Sequence, residues 1–223
     1  MPSERNIDRL TGLLKGEILY PEMDALIACG TEFTLIILDM DGLYAINRDY
    51  GNEAGDALFR VYGKHLAAVF PEPCITIREK GDEFAIIMPG HSKEEAFLRA
   101  EHARKLINEE KLDFKSDDGA PLTQSFSAGV SSYPEDGSRP ADVYRRADSA
   151  MVRAKKSGRN LVCLAREEKL LPKTSHYTQA QLEKLSLLSA KLSVGEAALM
   201  REALDDLLKK YDADWVLDWV QKK

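Results

Sequence analysis

The chain has 223 residues, of which 44% are hydrophobic and 30% charged, with a formal net charge of −6. That is enough chain to bury a proper core as one large domain or as a medium domain with a small module, and the composition excludes wholesale disorder. No apolar run approaches the roughly 18 to 20 residues of a membrane span and residues 1–8 are too polar for a signal peptide, so no membrane partner is expected and the expected compartment is the cytoplasm.

Charge is uneven along the chain. From Arg166 onward 10 Lys or Arg stand against 10 Asp or Glu, so the excess of acid belongs to residues 1–165. An acidic first part argues against passive nucleic-acid binding there and suits a site that collects cations. Cys29, Cys74 and Cys163 are odd in number, far apart and set in apolar segments, as reduced core cysteines are.

Asp8-Arg9-Leu10-Thr11-Gly12-Leu13 opens the patterned part of the chain. Little chain precedes it, so no sensor domain is expected upstream. Leu14, Ile18, Leu19, Met23, Leu26 and Ile27 follow at helical spacing and predict a helix through about residue 28. The run Phe33-Thr34-Leu35-Ile36-Ile37-Leu38 is continuously apolar, as expected of a central strand covered on both faces. It closes on Asp39-Met40-Asp41. Carboxylates there either terminate the strand or hold a hard divalent cation through oxygen ligands. Asn47 and Gly51-Asn52-Glu53-Ala54-Gly55-Asp56 lead into a helix predicted over residues 56–69, for which Asp56 is an N-cap or a ligand-binding residue.

Two short strands, Cys74-Ile75-Thr76-Ile77 and Phe84-Ala85-Ile86-Ile87-Met88, flank Arg78-Glu79-Lys80-Gly81-Asp82-Glu83 and read as a hairpin with two adjacent carboxylates in its turn. Gly-Asp is ordinary turn chemistry, so the turn alone does not decide its role. A helix over residues 93–109, a loop at 115–119, a strand at 124–130, a turn cluster at 133–137, a helix from 141 to about 156 and a strand at 161–164 complete the order. Helices alternating with a short sheet that contains one hairpin suggest an α/β sandwich of the split β-α-β type.

Residues 8–163 resemble the GGDEF family, nucleotidyl cyclases with a palm-type, ferredoxin-like fold. The resemblance rests on segments in matching order and spacing: Asp8 to Leu13, Asp39 to Asn47, Gly55-Asp56, Gly81 to Phe84, Ser127-Ala128-Gly129-Val130, Tyr133-Pro134 with Asp136-Gly137, and Arg146-Ala147-Asp148 through Lys155 to Gly158-Arg159-Asn160. It implies condensation of two GTP into cyclic di-GMP with release of two pyrophosphates. It also implies two Mg²⁺ or Mn²⁺ ions per GTP site, held by Asp39, the carbonyl of Met40, Asp82 and Glu83, with Asp82 and Glu83 catalytic and Glu83 the better candidate for proton removal. Asn47 and Asp56 are the implied guanine contacts. An ionised carboxylate accepts from both N1–H and the N2 amino group, which adenine does not offer. Lys155 and Arg159, four apart at a helix end, match the triphosphate contacts, and Lys80 and Gly81 border the nucleotide.

This chain departs from the pattern at several positions. Lys80 stands at the first signature glycine, where the backbone approaches the nucleotide, and either obstructs it, swings out or touches phosphate. Tyr44 replaces a family lysine and Asn52 a family histidine. The product-inhibition Arg-x-x-Asp would fall at residues 71–74, which read Pro-Glu-Pro-Cys, so no feedback through that site is expected.

The division expected from these patterns is residues 1–165 for the cyclase domain and 166–223 for a small α-rich module. Residues 173–178 alternate like a short strand, residues 179–191 carry Leu182, Leu185 and Leu188 on one face, and Ser193-Val194-Gly195-Glu196 starts a second helix with Leu199, Ala203, Leu204 and Leu207 inward. Strand, helix, turn, helix resembles a ribbon-helix-helix module, which implies a homodimer and either DNA contact through residues 173–211 or dimerisation alone. Trp215, Val216, Leu217, Trp219 and Val220 predict a small packing helix. A catalytically degenerate protein that binds GTP or another guanine nucleotide and regulates DNA binding is the alternative function.

Overall fold

The computed structural model describes residues 6–114, 122–165, 174–192, 195–197, 199–200, 203–204 and 207. The chain divides into two compact units, Met1–Glu168 and Lys169–Lys223.

The first unit is a mixed sheet between two layers of helix. Its elements are β1 (Leu14–Lys15), a 3₁₀ turn (Gly16–Ile18), α1 (Leu19–Ala28), β2 (Phe33–Met40), α2 (Leu43–Tyr50), α3 (Asn52–Val69), β3 (Ile75–Lys80), β4 (Glu83–Pro89), α4 (Lys93–Glu109), β5 (Phe126–Tyr133), α5 (Pro140–Lys156) and β6 (Val162–Leu164). The strand order is β1-β3-β4-β2-β5-β6. Its middle four strands pair antiparallel in the ferredoxin-like arrangement, and β1 and β6 add parallel edges.

β2 is central and every one of its residues is buried. Its pleat sends Phe33, Leu35 and Ile37 to the layer of α1 and α5, and Ile36, Leu38 and Met40 to the layer of α3 and α4. A strand apolar on both faces therefore reads as one unbroken run, as the sequence predicts. On the α3–α4 side Tyr62 is fully buried, stacks on Phe84 at 5.6 Å between ring centres and donates its hydroxyl to the Ser125 carbonyl at 2.7 Å. Each such large side chain contributes roughly 1.5 to 3 kcal/mol by leaving water, and the phenol is hydrogen-bonded as a buried phenol must be. α4 starts at a capping box, with Glu95 N–H donating to Ser92 Oγ and Ser92 N–H to Glu95 Oε2.

The predicted helix from Leu14 is corrected at its start. Leu14 and Lys15 pair in parallel with Ile77 and Arg78, and the α-helix begins only at Leu19. Pairing with a strand some sixty residues away overrides a local helical pattern. Asp56 is no N-cap, because α3 begins at Asn52 and Asp56 lies inside it. α2, unforeseen as a helix, packs Leu43, Ile46 and Tyr50 on the core at helical spacing, but its 8 residues are too few for the pattern to stand out.

Gly129 on β5 sets how closely α5 lies on the sheet. A Cβ there would stand 1.9 Å from the Ala147 carbonyl oxygen and 2.4 Å from the Met151 nitrogen, so only glycine admits the helix at this distance.

In the second unit α6 (Gln179–Leu192) opens on Thr178, whose Oγ1 accepts from Gln181 N–H while its own N–H donates to Gln181 Oε1. Its leucines line an apolar groove of about 430 Å³ with Tyr177, Leu199 and Met200. The strand expected at residues 173–178 is corrected: residues 174–178 form none. Leu199, Met200, Ala203, Leu204 and Leu207 are helical, but of the residues expected inward only Leu199 is buried, and Ala203, Leu204 and Leu207 are exposed. The predicted loop at 115–119, the capping residues Ser193 and Val194 and the tryptophan-bearing tail lie outside the described residues.

Candidate active site at the ends of β2 and β4

Strand pairing brings the acidic residues together. Asp39, the penultimate residue of β2, is the register partner of Glu83, the first of β4. Met40 N–H donates to the Asp82 carbonyl at 3.2 Å, so the hairpin turn closes over the end of β2. Asp39 is 8% exposed, and burial pushes its carboxyl up to about 6, with Asp82 and Glu83 adding to the rise and Lys155 opposing it. Lys155 reaches from the last turn of α5 to within 2.8 Å of Asp39.

The turn is braced from outside. Arg78 donates to the Gly81 carbonyl from Nε and Nη2 at 3.2 and 3.0 Å, lies 3.8 Å over the Phe59 ring and pairs with Asp8 at 3.3 Å. Burial raises the Asp8 carboxyl, but hydrogen bonds from Thr11 and the charge of Arg78 hold it below its ordinary value. This ties the first motif to the hairpin.

β3 bulges between Arg78 and Lys80, so Glu79 and Lys80 together oppose Glu83. Lys80 lies 3.6 Å from Glu83 with most of its length in solvent. The Glu79 carboxyl is an electrostatic neighbour of Glu83. Burial first and then this neighbour raise Glu83 above its ordinary value, against the pull of Lys80. One side-chain oxygen of Glu79 is buried without a partner.

Asn47 sits on α2 and packs on α3 beside Asp56. A Cβ on Gly55 would come 2.1 Å from Asn47 Oδ1, so the glycine admits the amide, and that oxygen is buried with no hydrogen-bond partner. Asp56 and Arg159 are exposed. Among the described residues no hydrogen bond or ion pair draws Asn47, Asp56 or Arg159 to the carboxylates, whereas Asp39, Asp82, Glu83, Lys80 and Lys155 stand together.

Sequence reasoning missed Glu79, Arg78 and Asp41. Asp41 accepts hydrogen bonds from Ser125, Ser127 and the Asn160 backbone, and only its Asp-x-Asp spacing from Asp39 hinted at a role.

A ferredoxin-like sheet with paired carboxylates at the β2 and β4 ends and a lysine from α5 is a palm-type fold. The chain belongs to the GGDEF family: the family model described as diguanylate cyclase, GGDEF domain, matches residues 5–161. A ribbon-helix-helix domain matches residues 169–212. The chain is similar to diguanylate cyclase VdcA of Vibrio cholerae, 33% identical over 156 residues that make up 70% of this chain and 45% of that protein. It is also similar to diguanylate cyclase DgcP of Pseudomonas aeruginosa, 31% identical over 157 residues, 69% of this chain and 23% of that one. The matched segments span from 19% to 50% of the length of the curated relatives. Among solved structures, the GGDEF domain of DgcB from Caulobacter crescentus in complex with c-di-GMP superposes with a TM-score of 0.66 at 25% identity, covering 74% of this chain and 98% of that one. The active GGEEF domain of a diguanylate cyclase from Vibrio cholerae gives 0.62 at 27% identity, covering 70% and 99%.

Among the described residues no helix is long and apolar enough to cross a membrane.

Proposed function

We propose that the chain condenses two GTP into cyclic di-GMP with release of two pyrophosphates, as a homodimer whose two nucleotide-loaded domains face each other. The observation that carries this reading is the register pairing of Asp39 with Glu83 with a lysine ammonium 2.8 Å from Asp39. One buried and two half-buried carboxylates crowd at a strand end, and a cation already compensates the buried one.

The donor types suit a hard divalent cation, although among the described residues no three acidic side chains are gathered closely enough to hold one as they stand. The donors Asp39, Asp82, Glu83 and the Met40 carbonyl are all oxygen, and Asp39, lifted to about 6, lacks solvation that a cation would replace. Mg²⁺ or Mn²⁺, two per GTP site, would neutralise the α-phosphate and acidify the attacking 3′ hydroxyl. The rest falls to the chain itself. Glu83 takes the hydroxyl proton. Asp56 accepts from N1–H and the N2 amino group of guanine, and the free buried oxygen of Asn47 offers a further acceptor. Lys155 and Arg159 hold phosphate oxygens, and Lys80 and Gly81 border the nucleotide.

Incubation of the purified chain with GTP and Mg²⁺ or Mn²⁺ at high protein concentration tests this directly. Cyclic di-GMP is the expected product, and Glu83→Gln is expected to abolish it. No product from the wild type would overturn the proposal.

Lys80 favours a second reading, because its ammonium engages one of the proposed ligands at 3.6 Å. In that reading the site binds GTP without turnover and biases DNA binding by the ribbon-helix-helix module, which requires ligand to prefer one of two states. GTP binding by calorimetry without product, together with a nucleotide-dependent mobility shift on DNA, distinguishes it from the first.

A further inference from the structure

Asp41 stands two residues beyond Asp39, yet its carboxylate is committed elsewhere. Oδ1 accepts from Ser127 Oγ at 2.8 Å, while Oδ2 accepts from Ser125 Oγ at 2.8 Å and from the Asn160 backbone N–H at 2.9 Å. Its own N–H donates to the Ser125 carbonyl at 2.8 Å. Asn160 is gripped a second time, because its side-chain oxygen accepts from Arg104 Nη1 at 2.7 Å. Arg104 is fixed in turn by Glu101 through two bonds of 2.9 and 2.8 Å.

What these bonds hold is the turn between α5 and β6. Gly158, Arg159 and Asn160 have φ of +112°, +63° and +49°, three successive residues on the left-handed side. Arginine and asparagine rarely adopt that conformation side by side, and such a turn persists only where its surroundings over-determine it. The Arg159 N–H closes the helix end on the Ala154 carbonyl at 3.1 Å, and its side chain is left in solvent.

We infer that Asp41 is a positioning residue, whose carboxylate locks the left-handed turn 158–160 and so presents Arg159 to the GTP triphosphate. The ligand rests on the function proposed above; the lock does not. Asp41 acts through Arg159 and makes no contact with the reacting atoms. The alternative, a pooled acidic cluster in which Asp41 joins Asp39 on a cation, is disfavoured because three neutral donors already occupy its two oxygens.

Two measurements on the full chain test this. Amide hydrogen exchange without nucleotide reads the lock: Asp41→Ala is expected to cost Asn160 N–H at least about a hundredfold in protection, and Asp41→Asn, which keeps an acceptor for that N–H, to recover most of it. GTP titration by calorimetry reads the presentation. Asp41→Ala and Arg159→Ala are each expected to weaken binding roughly tenfold, and the double variant no more than about twofold further, because both remove the same contact. A Ser125→Ala/Ser127→Ala variant keeps the carboxylate but frees it to swing, and gives the same comparison if Asp41→Ala does not fold. Unchanged Asn160 protection in Asp41→Ala, or losses of affinity that multiply in the double variant, would overturn the inference. A wild type that binds no GTP would instead overturn the function proposed for the site, and with it the ligand assigned to Arg159, while the exchange data still decide the lock.

Discussion

Gly129→Ala perturbs the fold at the point where α5, and Lys155 with it, is set against the sheet. The added Cβ would lie 1.9 Å from the Ala147 carbonyl oxygen, and ordinary contact begins at 3.4 Å, so the helix or strand must move by roughly 1.5 Å. The obstructing atoms are backbone, and no flexible side chain can swing aside. Overpacking of this kind costs typically 1 to 3 kcal/mol, and rigid backbone on both sides places this case at or above about 3 kcal/mol. A shift of that size also strains the 2.8 Å contact between Lys155 and Asp39. Urea unfolding followed by circular dichroism measures the effect as a lower midpoint with an unchanged slope. A loss below about 1 kcal/mol would refute the reasoning, because the close approach would then be one that the helix relaxes without cost.

Three further outcomes are expected. Lys93→Ala should cost about 2 kcal/mol in the same assay, because Lys93 ties the start of α4 to Asp136 at 3.0 Å and to Glu135 at 2.7 Å, with both Lys93 and Asp136 side chains only 10% exposed. Glu101 is held below its ordinary 4.5 by the hydrogen bond from Arg104, so the unfolded chain takes the proton more readily; stability from this pair is present above that value and lost as pH falls below it. Glu101→Gln should therefore flatten the acid limb of a stability–pH curve, and an unchanged limb would remove the pair from the account. Lys80→Gly frees Glu83 of its ammonium neighbour and should raise the affinity for Mn²⁺, measured by calorimetry, severalfold; equal affinity would show that the lysine already swings clear.

Much of the fold is legible from local pattern. The unbroken apolar run of β2 announces a strand buried on both faces, and Ser92 followed by Glu95 marks the start of α4 to the residue. The carboxylates of the site are legible because they sit where strands end. What escapes the sequence depends on partners far along the chain. Leu14 and Lys15 are a strand only because β3 lies beside them, and the bulge that brings Glu79 onto Glu83 exists only in the paired hairpin. Asp41 finds its acceptor role 84, 86 and 119 residues away, a distance over which no spacing rule operates. α2 escapes for the opposite reason, since Leu43, Ile46 and Tyr50 are at helical spacing but the helix is only 8 residues long, too short for a period to stand out. In the second unit the helices are legible, whereas Leu204 and Leu207, expected inward, stand about half exposed, and residues 174–178 alternate without forming a strand.

The central place of β2 also governs how the protein is made. Asp39 pairs with Glu83 on one side and Ser127 on the other, and meets Lys155 last, 116 positions further along the chain. At about 5 to 20 residues per second, the lysine leaves the ribosome roughly 6 to 23 s after the aspartate. Glu83 follows Asp39 by 44 positions, roughly 2 to 9 s, and until β4 has emerged a strand with two apolar faces and two unpaired edges waits for its neighbours, exposed to aggregation and to chaperone capture.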